Sequence, residues 1–300
     1  MGKPDRKFTD KIRCSLIFLD ERFYRSLFFY TTMQKLVYTE DNLQLINRSF
    51  LYGDSVWVSF FVRNGQLIMA EESYFFLMAS MRKMRLNIPL SYTLEFFQEL
   101  FQKKVLDKGI QNGIIQLMAY RKQEDKPLPK SETAIYFEIE ESNDILDIKG
   151  NIELDLIKEI NVNANLLSNI RVHSAENIYA EIYAKENDLD DVILLNPNKK
   201  IARSIFGNLL FLQENVIKIP KQTEGAYISP LMENFVTFVH KNKLAEIEEA
   251  EIIAFESQKA KEILRISDEK GIHLVSKIRN KSFENTRFTE MVTQWKNSFQ

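Results

Sequence analysis

One cysteine, Cys14, is all that the 300 residues carry. A disulfide within the chain is therefore excluded, and so is a metal site built on cysteines. A lone thiol suits a reducing compartment, so a cytoplasmic protein is expected. Glycine is sparse, nine in all; none forms a GxG pair or a Walker loop, which removes both familiar phosphate-cradling motifs. There is no HExxH, no Gly-x-Ser-x-Gly and no Cys/His ligand pairing. No apolar run reaches the roughly 20 residues of a membrane span. The nearest, Ser15–Tyr30, is interrupted by Asp20, Glu21, Arg22 and Arg25, so it is neither a span nor the apolar core of a secretory leader. Charge of one sign is missing too: 40 Lys and Arg stand against 42 Asp and Glu, a net of −2. Without a basic excess there is no electrostatic case for nucleic acid or an anionic membrane surface, and neither is expected as a partner.

What is present is ordinary globular material, 45% hydrophobic and 27% charged. Twenty-two Phe suggest large buried surfaces or an oligomer interface. The length points to two domains. Lys122–Glu132, with Pro127, Pro129 and five charged residues before Ser131, reads as the boundary. The expected division is an N-terminal extension over residues 1–32, a small α/β domain over 33–125, a linker at about 122–132 and a larger α/β domain over 133–300. Val56–Val62, then Asn64-Gly65, then Gln66–Ala70 reads as a β-hairpin, because a type I′ turn needs positive φ at both central residues. Glu71–Arg85 has helical spacing with Tyr74, Leu77, Met78, Met81 and Met84 on one side, and a second helix, capped by Ser91 or Thr93, carries Leu94, Phe97, Leu100 and Phe101. Ile114–Tyr120 and Ala134–Ile139 read as strands. Ser174–Asn187 reads as a helix with Ile178, Ile182 and Tyr183 inward. Val192–Leu195 and Leu209–Leu212 read as short buried strands. Ser229-Pro230 opens a helix over Leu231–Lys243. Ile272–Ile278 reads as a late strand and Phe288–Phe299 as a terminal helix. Strands and helices alternate, which gives an α/β (α+β) class. His240, late in a helix, and His273, in a strand, read as structural; His173 gains interest only from its neighbourhood.

Asn47-Arg48-Ser49-Phe50-Leu51-Tyr52-Gly53-Asp54-Ser55-Val56-Trp57 resembles the opening signature of fold-type IV, pyridoxal phosphate (PLP)-dependent aminotransferases and lyases, N/D-R-G-F-x-Y/F-G-D-G-V-F/Y-E. Lys185–Asn196 is similar to that family's stretch ending "DEALLLN", and Ile201–Leu210 to its "VAEGSGSNIF". Ala226–Glu233 is similar to "GILPGITR", and Ala260–Val275 to "ADEVFLTNSLRGIVPV". The pieces run in the family's order over about residues 34–283. The resemblance implies a D-amino acid aminotransferase-like fold, a cleft that holds PLP, and a homodimer whose interface helps build the cleft. The activities it implies are branched-chain and D-amino acid transamination and aminodeoxychorismate lysis.

The residues that the resemblance assigns to chemistry differ. Arg171 best matches the Schiff-base lysine, and no lysine lies between Lys158 and Lys185; an arginine stays protonated and does not form the imine. Phe76 stands at the phosphate-gripping arginine. Met232 stands at the threonine of "GIT", with Pro230 beside it lacking a donor. Arg203 stands at the glutamate that pairs with the pyridine nitrogen, and Ile266, followed by Ser267, at the threonine of "FLTN". Phe76 and Met232 are expected to fill the cofactor's place. The leading reading is a non-catalytic homologue without a cofactor, its cleft open to a small carboxylate or phosphate. The cleft candidates are Tyr52, Trp57, Arg171, His173, Arg203 and Lys270. Two rivals stay open: an active PLP-dependent aminotransferase or aminodeoxychorismate lyase with a displaced lysine, Lys149 or Lys158, and a cofactor-free enzyme with His173 as base.

Overall fold

The computed structural model describes residues 36–39, 48–122 and 128–299; the expected N-terminal extension and residues 123–127 of the expected linker lie outside them. The first half builds strand β1 (Leu36–Thr39), a short helix α1 (Arg48–Tyr52), β2 (Ser55–Arg63), β3 (Gln66–Ile68), helices α2 (Ala70–Lys83) and α3 (Leu94–Lys104), β4 (Gly113–Arg121) and β5 (Thr133–Glu141). Its strands pair antiparallel in the order β1-β5-β4-β2-β3. The β2–β3 turn carries Asn64 at φ 51° and Gly65 at φ 71°, as the dipeptide requires. Thr93 caps α3, its Oγ1 accepting the Phe96 N–H at 3.2 Å. Leu77, Met78 and Met81 of α2, with Phe97 and Phe101 of α3, bury one face of this sheet.

The second half continues with β6 (Ile148–Leu156), α4 (Ala175–Glu186), β7 (Asp191–Leu195), β8 (Ile201–Ser204), β9 (Asn208–Gln213) and β10 (Val216–Pro220). After these come α5 (Pro230–Lys241), β11 (Glu246–Ala250), α6 (Ala254–Ser257), β12 (Glu262–Ser267), β13 (Gly271–Ile278), β14 (Lys281–Ser282) and α7 (Thr286–Asn297). The sheet runs β11-β10-β9-β12-β13-β6-β7-β8, with β14 on β13. β6 lies parallel between β13 and β7. It is the strand that hydrophobic pattern conceals: Ile152, Leu154 and Leu156 alternate inward, but Lys149-Gly150-Asn151 before them are exposed and read as a turn. Of the expected inward face of α4, Tyr183 packs against the core, and Ile178 and Ile182 are corrected. Ala180 and Ala184 are buried, while Ile178 and Ile182 are 51% and 53% exposed. Small residues let this helix lie close on β7, which turns the larger side chains outward. Among the described residues no helix is long and apolar enough to cross a membrane.

The two sheets share a core. Phe61, Met69 and Ile114 of the first pack in one cluster with Leu210, Leu231, Phe235 and Trp295 of the second. Arg63 adds a polar clamp, its Nε 2.9 Å from Asp144, which also meets Lys296 at 3.2 Å. Two buried carboxylates then fix the elements behind the cleft. Asp191, with no exposed surface, pairs with Arg265 at 2.9 Å and accepts the backbone N–H of Ile205. Asp268 lies at the start of α5, accepting the Ser229 hydroxyl at 2.7 Å and the Leu231 N–H at 3.2 Å. Burial pushes the Asp268 carboxyl up to about 6, against the lowering by Ser229, Leu231 and Arg171.

Removing one partner of a buried ion pair strands the other. Asp191→Ala is expected to destabilise the protein by about 3–5 kcal/mol in urea unfolding, with Arg265 left uncompensated. Asp268 sets a pH dependence of known sign. Its folded pKa lies above the ordinary carboxylate value, so its contribution is full below about pH 4 and is lost as pH rises through about 6. The whole displacement is worth roughly 3 kcal/mol. Between pH 4.5 and 7 the wild type is expected to lose stability relative to Asp268→Asn, and equal slopes for the two proteins would refute the assignment.

Candidate functional site

Residues 157–174 cross from β6 to α4 over the edge of the first sheet, and backbone bonds hold them there. The Trp57 N–H of β2 donates to the Arg171 carbonyl at 2.9 Å, and the Ile228 N–H to the Asn169 carbonyl at 2.9 Å. The Asn169 side chain donates to the carbonyls of Gln222 and Ala226. His173 then lies against Gly53. A Cβ at Gly53 would come within 2.5 Å of the His173 Cβ, and its φ is +64°; glycine in Tyr52-Gly53-Asp54 answers both demands. Asp54 beside it holds Arg48 at 2.7 Å and Arg121 at 3.5 Å.

Two adjoining cavities open at this crossing. The larger, about 450 Å³, is lined by Trp57, Gln116 and Glu138 of the first sheet and by Arg171, Asn177 and Glu269 of the second half. The smaller, about 300 Å³, takes in Arg203. Val172, His173 and Tyr227 line both. The expected cations therefore come together, but on two sides of one wall.

Arg171 is paired. Its Nη2 meets Glu269 Oε2, and the other oxygen of Glu269 lies 3.7 Å from Lys270 Nζ. Burial pushes the Glu269 carboxyl up, but Arg171 and then Lys270 pull it below its ordinary value. Ser267 shapes this corner, donating to the Phe206 carbonyl at 2.6 Å and accepting the N–H groups of Glu269 and Lys270. Arg203 is 5% exposed and has no such partner among the described residues. Its Nη1 donates to the Ser204 carbonyl at 3.1 Å, its guanidinium lies 4.2 Å above the Tyr227 ring, and Nε is buried without an acceptor. Burial depresses its pKa, and Arg171 depresses it further. Tyr227 is held at its backbone by both ends of the Asn208 amide and at its hydroxyl by Asn177.

Of the other expected residues, Trp57 and His173 line the larger cavity; Tyr52 and Lys270 do not. Tyr52 is exposed beneath Arg48, and Lys270 touches the site through Glu269. Phe76 packs in the core of the first sheet and Met232 and Ile266 in the shared core. None of the three lines either cavity, so the expectation that Phe76 and Met232 fill the cleft is corrected: their helices turn them inward onto the sheets. His273 is structural. It bonds Arg265 Nη2 through Nδ1 at 2.6 Å, and burial, with that cation, takes its pKa down to about 4. Glu269 and Asp268 were not foreseen. The signal was an acidic pair where the similar stretch has the uncharged "SL".

No lysine lines either cavity among the described residues. At the start of α5 the N–H groups of Leu231 and Met232 are already taken by Asp268 and by the Ser229 hydroxyl.

Solved structures share this fold. A branched-chain aminotransferase from Thermoproteus uzoniensis, with norvaline, superposes at a TM-score of 0.77 over 87% of this chain and 93% of its own, at 16% identity. A protein described as a 4-amino-4-deoxychorismate lyase, from Legionella pneumophila, gives 0.76 over 87% and 96% at 17% identity. A hypothetical aminotransferase from Mycobacterium tuberculosis in a PLP-bound form gives 0.75 over 88% and 99% at 14% identity. No curated protein matches the sequence. The sequence model of class IV amino-transferases matches residues 59–278. That match, with a PLP-bound structure of the same fold, overturns the expectation of no cofactor. Substituted contacts change what the cleft offers a ligand, but they leave the cleft in place, and nothing shows that the cofactor has been lost. By most of its length the chain belongs to the class IV amino-transferase family.

Proposed function

We propose that this chain is a non-catalytic member of the family whose cleft binds a small carboxylate or phosphate ligand without an internal Schiff base. One observation carries the reading: Arg171 stands where the resemblance places the lysine, and it lines the 450 Å³ cavity with Glu269 beside it. A guanidinium cannot form the imine, but it suits a carboxylate or phosphate oxygen through paired, charge-assisted hydrogen bonds. Glu269 already meets it through one such bond, from Nη2 to Oε2. A cofactor-free enzyme with His173 as base has less behind it, since no hydrogen bond to another described residue orients that ring.

A second reading keeps one specific support. Lys149 Nζ is bound to the carbonyls of Asn143 and Asp144, and Lys158 is exposed, but Lys270 Nζ stands one side chain from the cavity, beside Glu269. A PLP-dependent enzyme with a displaced lysine would draw on it.

We also propose a cytoplasmic homodimer. Ile178, Tyr179 and Ile182 of α4 present an exposed apolar stripe next to the cleft-lining Asn177, and a second copy of the chain is the occupant that would bury it.

Three measurements test these readings. Trp57 lines the cavity while Trp295 is fully buried elsewhere, so tryptophan fluorescence reports acetate or inorganic phosphate entering the cleft. Arg171→Ala is expected to weaken that binding by about tenfold to a hundredfold; unchanged affinity would remove Arg171 from the site. PLP followed by borohydride is expected to leave no cleft lysine covalently modified, whereas a modified Lys270 found by peptide mapping replaces this reading with the enzyme. The wild type is expected to sediment as a dimer and the Ile178→Lys, Ile182→Lys double variant as a monomer; a monomeric wild type at micromolar concentration sinks the dimer.

A further inference from the structure

The smaller cavity has chemistry of its own. A guanidinium has five N–H groups in a planar fork. In Arg203, Nη1 is engaged by the Ser204 carbonyl, while Nε is buried without an acceptor. Nε and Nη2 form the edge that a carboxylate meets side-on, with two parallel N–H···O bonds. That edge is unused among the described residues, on a side chain 5% exposed. Asp191, which steadies the charge of Arg203 at a distance, is committed to Arg265 and the Ile205 N–H. Glu176 on the cavity wall steadies that charge too, without an ion-pair contact, and Arg171, the other cation in range, opposes it. A buried cation in this state favours an anion beside it.

The walls narrow the class of anion. Val162, Leu167, Ile170 and Val172 are apolar. Asn165 and Ser168, which also line the cavity, are bonded to one another: the Ser168 hydroxyl accepts the Asn165 N–H at 2.8 Å and lies 3.4 Å from its Oδ1. Glu176 adds a negative charge to the same lining, which disfavours a dianion. About 300 Å³ suits a body of a few carbons.

Resting on the anion-binding reading of the cleft, we propose that this cavity is a separate site for a small aliphatic monocarboxylate, gripped side-on by Nε and Nη2 of Arg203. Its apolar body lies against Val162, Leu167, Ile170 and Val172. Because Nε is closed off from solvent, the guanidinium turns slightly over Tyr227 to seat the ligand.

The test uses the full chain labelled with ¹⁵N-arginine, the Nε–H signal of Arg203 being assigned by its absence from Arg203→Lys. Acetate, isobutyrate and inorganic phosphate are titrated in turn. The expected result is a saturable shift of the Arg203 signal, with isobutyrate tighter than acetate and phosphate weaker than both. Arg203→Lys, which keeps the charge but not the fork, is expected to weaken isobutyrate by about tenfold. Arg171→Ala is expected to leave the Arg203 shift in place. No shift in the wild type overturns the proposal, and so does phosphate binding as tightly as isobutyrate or loss of the shift in Arg171→Ala. If Arg203→Lys misfolds, the Arg203 Nε–H signal is assigned through bond connectivities in the uniformly ¹³C,¹⁵N-labelled wild type, and its shift and the ligand ranking still decide. A Trp57 response without an Arg203 shift overturns this site and leaves the cleft reading standing; neither response overturns both.

Discussion

A carboxylate with no access to water organises the second half of the molecule. Asp191 begins β7, and burial alone would drive its proton back on. Arg265 of β12 opposes that at 2.9 Å, the Ile205 N–H adds a backbone donor, and Val192 N–H closes the set. The three donors come from β12, from the loop after β8 and from β7 itself, so one group fixes how β7 meets β8 and where the following loop turns. That loop carries Ser204 and Gly207 in a closed pair of hydrogen bonds. The position of Arg203, one residue earlier, follows from it. The ionic lock that holds the sheet together thus also aims a cation at a cavity it does not touch.

The two cleft arginines stand in different electrostatic states for this reason. Arg171 lies on the crossing segment and meets a carboxylate from the β12–β13 connection, so its charge is internally balanced. Arg203 lies on a strand where Asp191 is already spent on Arg265 and Glu176 acts on it without an ion-pair contact, so an aromatic face and one carbonyl are its direct partners. A ring face is a weaker partner than a carboxylate. The difference is one of topology rather than residue type, which is why the two arginines cannot be told apart in the sequence.

Local chemistry was legible where it depends on neighbours in the chain. Asn64-Gly65 made its turn, Thr93, Ser174 and Ser229 each accept a backbone N–H as caps, and the segments similar to class IV enzymes fold as that family does. What escaped depends on partners distant in sequence. The apolar spacing of α4 suggested an inward Ile178 and Ile182, but close packing of Ala180 and Ala184 decided the face. β6 is held by parallel neighbours on both sides, but Lys149, Gly150 and Asn151 at its start are exposed and carry no apolar signal. Glu269 became a site residue only once Arg171 was brought to it across 98 positions.

The start of α5 is closed by groups of the chain itself. A helix N-terminus is a natural seat for an anion, because its first N–H groups lack intrahelical partners and the dipole favours negative charge. Here Asp268 supplies that anion from within the chain, and the Ser229 hydroxyl takes the next N–H. The helix is capped without any ligand, so its stability does not require one. An internal carboxylate closes the helix start, while across the wall the buried Arg203 Nε has no acceptor among the described residues.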